Sequence, residues 1–180
     1  MGTKIGGGLE FIASLDASSS ATLSFTGFDS SKYDSYKFTF ANILPATDGA
    51  YLHALLSVDS GSNYLTASDS YTIRETTEAS AGDSAFIGLG NKGLSNEDGG
   101  GGSGGLEING PHLNKRTFVY PASGMINIAD ESVSANYFNQ VTYGGGGQTK
   151  ANTVVNAIQF KFSSGNIASG TITMYGLVNS

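Results

Sequence analysis

Tyr36-Lys37-Phe38-Thr39-Phe40 places an aromatic ring at every second position and a polar side chain between. In an extended chain successive side chains point to opposite faces, so this stretch turns three rings to one side and predicts a half-buried β-strand. The same period of two recurs outward from it. Leu23 and Phe25 alternate with Thr22, Ser24 and Thr26, and Leu52, Ala54, Leu56 and Val58 stand opposite His53 and Ser57. Near the C-terminus, Ile158, Phe160 and Phe162 alternate with Gln159 and Lys161, and Ile172 and Met174 with Thr171 and Thr173. Nowhere do apolar residues recur at i, i+3, i+4 and i+7 for three turns, the spacing an amphipathic helix needs. Shorter strand candidates are 9–13, 70–75, 84–89, 106–108, 117–120, 125–129 and 137–143. Together these predict roughly eleven strands.

The turns and the composition agree. Pro45-Ala46-Thr47-Asp48-Gly49 reads as a turn whose glycine takes positive φ, and Asp59-Ser60-Gly61-Ser62-Asn63 as a short hairpin loop. Of 180 residues 26 are Gly, which disfavours helices because glycine gives up backbone entropy there. Ten Phe and nine Tyr with only 13% charged residues disfavour disorder. Strands at short spacing without intervening helices predict an all-β fold, a single antiparallel β-sandwich of jelly-roll type. The expected layout is a flexible arm over 1–8, then one sandwich domain over 9–180. Two glycine-rich stretches, 91–105 and 144–152, read as long loops.

Several function classes are disfavoured by residue content. With no Cys there is no disulfide framework, thiolate metal site or cysteine nucleophile. The net charge is −6 and the nine cationic residues are scattered, so neither nucleic acid nor an anionic membrane is the expected partner. The first fifteen residues lack the charged start and apolar stretch of a secretory signal, and no segment has the ~20 apolar residues of a membrane-spanning helix, which predicts folding in the cytosol. After Glu131 the only charged side chains are Lys150 and Lys161, so this third reads as core strands or as a face that packs against another subunit.

Candidate reactive groups are few. His53 and His112 have no neighbouring His or Cys, and a structural zinc site wants four such ligands. Ser84, in Gly82-Asp83-Ser84, together with an upstream His53, outlines a hydrolase pair, but Gly-Asp-Ser is also ordinary turn composition. Glu75 with Glu78, or Asp130 with Glu131, could serve as paired carboxylates, though acids at strand ends ordinarily just solvate. Asn96-Glu97-Asp98 and the 59–63 loop gather oxygen ligands for calcium without the spacing of a dedicated site. The glycine run lacks the Lys-Ser/Thr of a phosphate loop. Tyr33, Tyr36, Tyr51, Tyr64, Tyr71, Tyr137 and Tyr143 fall near predicted strand ends, as rim residues, sugar platforms or interface anchors. The expectation is no catalytic, cofactor or metal site.

One run carries a resemblance. Residues 17–64, ASSSATLSFTGFDSSKYDSYKFTFANILPATDGAYLHALLSVDSGSNY, and the closing string SGNIASGTITMYG at 164–176 resemble strings that recur in short Gly/Ser-rich β proteins of tailed bacteriophages. Residues 77–147 carry no such string. The resemblance implies a non-enzymatic virion structural protein, a capsid decoration, fibre or tail component, assembled in the host cytoplasm. Its partners would be capsid or tail proteins and further copies of itself as a homo-oligomer. The alternative is a carbohydrate-binding module or receptor-binding sandwich that recognises a host surface glycan.

Overall fold

Each alternating stretch forms a strand, because only an extended chain in a sheet can bury one side of such a sequence and wet the other. The computed structural model describes residues 8–74, 82–89, 93–97, 100–123, 125–128, 138–141 and 146–178. Among them are fourteen strands and no helix. In chain order they are β1 (Leu9–Ser20), β2 (Leu23–Phe25), β3 (Tyr33–Pro45), β4 (Leu52–Ser57), β5 (Tyr71–Arg74), β6 (Gly82–Ser84), β7 (Ile87–Gly88) and β8 (Gly102–Asn109). After these come β9 (Phe118–Ser123), β10 (Met125–Ile128), β11 (Phe138–Val141), β12 (Gly146–Thr149), β13 (Ala157–Phe162) and β14 (Ile167–Val178).

The strands form an eight-stranded sheet, β1-β14-β3-β8-β9-β12-β5-β6, a four-stranded sheet, β2-β13-β4-β7, and the β10-β11 pair. Every pairing between strands is antiparallel. Set aside β5–β6 and β9–β12, and the remaining eight strands divide between two four-stranded layers, β1-β14-β3-β8 and β2-β13-β4-β7, changing layer at every step but β4 to β7. That is the wiring of an eight-stranded jelly roll, two Greek keys folded into a sandwich. The two insertions widen one layer with β9, β12, β5 and β6.

Both layers close on one core. Phe38 and Phe40 from β3 meet Phe25 from β2 and Phe160 from β13, with ring centroids 5.2–6.2 Å apart at steep angles. Edge-to-face pairs of this kind add about 0.5–1.5 kcal/mol each beyond the area they bury. Register continues the inward row sideways: Phe38 lies beside Met174 on β14 and Leu106 on β8, and Ile158 on β13 beside Leu56 on β4. All of these side chains are fully buried.

The structure departs from the sequence reading in four places. Residues 102–105, expected inside a long loop, begin β8 and pair with β3, Gly104 opposite Phe40. Residues 146–149, likewise expected in a loop, are β12, between β5 and β9. The physical reason is close approach: a Cβ on Gly146 would fall 2.7 Å from the Val119 carbonyl oxygen, backbone that cannot give way as a side chain can, so glycine lets β12 lie beside β9. The expected single strand 84–89 is split, β6 in the wide layer and β7 in the narrow one. The 59–63 loop is followed by irregular chain, although Leu65 N–H still donates to the Leu56 carbonyl at 2.9 Å. Residues 1–7 of the expected arm lie outside the described residues, as do 90–92, 98–99 and 144–145 of the expected loops.

Gly176 on β14 shows how tightly the frame is built. A Cβ there would fall 2.3 Å from the ring of Tyr33, which is itself 7% exposed and hydrogen-bonded through Oη to Glu10 at 3.1 Å. Gly176→Ala is therefore expected to lower stability by about 2 kcal/mol, the cost of overpacking a site that cannot expand, as measured by urea unfolding. An unchanged midpoint would show that Tyr33 is free to move.

Candidate functional site

The inward rows leave an outward face on the wide layer, and register shows what lies on it. One row runs Phe11, Tyr175, Lys37, Glu107, Tyr120 across β1, β14, β3, β8 and β9. The next runs Leu9, Leu177, Ser35, Asn109, Phe118 and on to Gln148. Phe11 is 63% exposed, Leu9 53%, Phe118 48%, Leu177 41% and Tyr120 40%. Two apolar lips result. Leu9, Phe11, Tyr175 and Leu177 form one at the sheet edge, where the Phe11 and Tyr175 rings meet edge-on at 6.2 Å. Phe118 and Tyr120 form the other, with Asn109 Nδ2 donating to Tyr120 Oη at 3.1 Å. Between them lies a polar strip in which Lys37 Nζ and Glu107 Oε1 are 3.7 Å apart.

The first lip borders an open edge. The other edge strands of the two main sheets, β6, β2 and β7, span two or three residues, whereas β1 spans twelve and pairs only with β14. A long unpaired edge offers free N–H and C=O groups to another chain. The bulge between Phe11 and Ala13 interrupts its regularity near one end.

The groups singled out from sequence are placed elsewhere. His53 stacks flat on Phe86, ring centroids 3.6 Å apart, and Ser84 Oγ accepts from Phe86 N–H at 3.2 Å. Phe86 thus occupies both, and no hydrogen bond joins His53 to Ser84 among the described residues. The Asp59 carboxylate is spent within its own loop: it accepts from Ser57 Oγ, from Asn63 N–H and from Asn63 Nδ2, all at 2.8 Å. These bonds, the Asn63 side chain foremost, hold its carboxyl below the usual range. Asn96 bonds weakly to the 46–48 turn, through Asp48 and the Ala46 carbonyl, both at 3.4 Å. Glu75, Glu78, Asp98, Asp130, Glu131, Tyr137 and Tyr143 lie outside the described residues.

Three of the expected rim tyrosines are core residues instead. Tyr33, Tyr36 and Tyr71 are 7%, 2% and 0% exposed. Tyr71 explains why: Leu56 N–H donates to its Oη at 2.8 Å and its O–H donates to the Leu65 carbonyl at 3.1 Å, so one phenol ties down the irregular chain after β4. Burial pushes its ionisation up to about 12. The exposed rings Phe11, Phe118 and Tyr120 and the half-buried Tyr175 were not singled out in the sequence. Parity was the signal for two of them, since residue 175 shares the outward phase of Thr171 and Thr173, and Tyr120 that of Phe118.

No protein-family model, curated protein or solved structure matches the chain.

His53 supplies a test of this arrangement. Burial, and secondarily the charge of Lys161, lowers its pKa from an ordinary 6.5 to about 4. Between those values the unfolded chain binds a proton that the folded chain refuses, so stability is intact above pH 6.5 and is lost as pH falls toward 4. The slope approaches one proton, and His53→Gln is expected to flatten it in urea titrations at pH 7, 5.5 and 4.5. Parallel pH profiles for the two proteins would place the imidazole in water.

Proposed function

We propose that the chain is a non-enzymatic structural protein of a tailed-phage virion surface, a capsid-decoration, fibre or tail component, that acts by assembling with copies of itself and with capsid or tail proteins. The observation that carries this reading is the pair of apolar lips on the wide layer. Exposed aromatic and aliphatic side chains gathered in register, one group of them beside an open twelve-residue edge, are the composition of an interface core rather than of a solvated face. The phage-like strings add support by where they fall. Residues 17–64 and 164–176 contain β2, β3, β4 and most of β14, all strands of the jelly-roll frame, whereas 77–147 contain most of the inserted strands together with the frame strands β7 and β8.

The uncharged C-terminal third has a narrower meaning in this reading. β13 and β14 are inner strands, each paired on both sides, and apart from Lys161 on β13 their lack of charge follows mostly from burial. Only Tyr175 and Leu177 bring β14 into the proposed contact.

Self-association is measured by sedimentation velocity at about 10 µM. The native chain is expected to sediment as an oligomer, and Phe11→Asp or Leu177→Asp to weaken association at least thirtyfold, the size of an interface hot spot, with little change in unfolding midpoint because both side chains face water. Since each copy carries −6, added salt should strengthen association by screening. A monomeric native chain that also fails to co-sediment with purified particles overturns the reading.

A further inference from the structure

β1 is the outermost strand of the wide layer and, among the described residues, pairs only with β14. From Ala13 to Ser18 its register with β14 runs without interruption, between the Phe11/Ala13 bulge and Ser19, whose φ is +53°. No proline, lysine or bulge guards this run, and Asp16 is its only charge. Its core-facing side chains are incompletely covered: Ala13, Leu15 and Ala17 pack against the hydrophobic core and are still only half-buried.

The free backbone groups of the run can be assigned. Along an antiparallel strand, residues that bond a given neighbour alternate with residues whose N–H and C=O turn away from it. Val178 N–H donates to the Gly8 carbonyl at 3.3 Å, so the even positions of β14 bond to β1. Met174, Ile172 and Gly170 are therefore the bonded partners of Ala13, Leu15 and Ala17. Ser14, Asp16 and Ser18 are left with their amides and carbonyls on the open side. Ser18 shows the same phase, since its N–H donates to Ser20 Oγ at 3.2 Å, within β1 itself.

We infer that this edge pairs with β1 of a second copy, antiparallel about a two-fold axis through Leu15, joining two wide layers into one continuous sheet. The inference rests on the assembly reading above and supplies its partner strand and alignment. Side-chain complementarity selects the axis. About Leu15, Ser14 of each copy lies opposite Asp16 of the other, and each such pair exchanges both of its main-chain hydrogen bonds. The Asp16 carboxylate accepts from Thr171 Oγ1 at 2.6 Å and keeps lone pairs for a second donor. With Thr173 Oγ1 donating to it at 3.0 Å, the Ser14 hydroxyl is that donor. On the core side Ala13, Leu15 and Ala17 of one copy meet Ala17, Leu15 and Ala13 of the other, so the half-covered apolar row continues across the axis. An axis through Asp16 opposes two carboxylates, and one through Ser14 sets Asp16 against Ile12 in the bulge.

The test uses the full chain, which has no cysteine, so a single introduced thiol reports the alignment. Leu15→Cys brings two thiols together at the axis and is expected to give a disulfide-linked dimer on oxidation with diamide. In Ser18→Cys the two thiols lie roughly 20 Å apart along the strands, and no cross-link is expected. Asp16→Pro removes an amide that β14 does not use. It should leave the urea midpoint close to native and weaken self-association about hundredfold in sedimentation velocity, from two symmetry-related hydrogen bonds of about tenfold each. Should Asp16→Pro fail to fold, the two cysteine variants alone decide. An oligomer that tolerates Asp16→Pro, or that cross-links through residue 18 as readily as through residue 15, overturns the pairing and leaves the apolar lips to hold the copies together. A monomeric native chain also overturns it; if that chain still co-sediments with purified particles, the assembly reading survives with a capsid or tail protein in place of the second copy.

Discussion

The contact of Phe38 and Phe40 with Phe25 and Phe160 is the constraint from which the rest of the molecule follows. Each layer is apolar on one side only, and neither is stable unless that side is covered. Four rings from three strands, far apart in sequence, must meet in register, so β2, β3 and β13 are fixed relative to one another at once. β14 then has its place beside β3, with Ile172 opposite Phe40 and Met174 opposite Phe38, and β4 beside β13. The jelly-roll order is the route by which one chain supplies those strands alternately to two layers.

Once the inward phase of β3 and β14 is taken by the core, period two leaves no choice about the outward phase. Thr39, Thr171 and Thr173 meet water acceptably. Tyr175, Leu177 and Phe11 do not, and they stand together because the β1–β14 register aligns them. The wide layer is extended to eight strands against four, and β9, which bears the outward Phe118 and Tyr120, belongs to that insertion. Glycine makes the extension feasible, since a Cβ on Gly146 would fall 2.7 Å from the Val119 carbonyl oxygen of the adjacent strand.

Most of the frame was legible because alternation is a direct image of a half-buried sheet. What escaped was strand built from residues with no side chain to alternate. The segments 102–105 and 146–147 look like linker by composition, and only their neighbours in space, β3 for the first and β5 with β9 for the second, make them strands. Tyrosines misled in the opposite direction. A ring with a hydroxyl suits a rim or a core equally, and Tyr71 is interior because Leu56 and Leu65 present a donor and an acceptor to it, an arrangement made by the fold and invisible in the chain. The hydrolase outline failed for a similar reason. The residues between β6 and β7 carry the chain from one layer to the other, and Phe86, on that crossing, takes up both His53 and the hydroxyl of Ser84.

The interior polar groups show the same logic at finer grain. Thr149 Oγ1 accepts from Thr117 N–H at 3.0 Å and donates to the Ala151 carbonyl at 3.0 Å, and Ser57 Oγ accepts from the Asp59 and Gly61 amides while donating to the Asp59 carboxylate. Each buried hydroxyl of this kind stabilises a connection that has no strand to hold it.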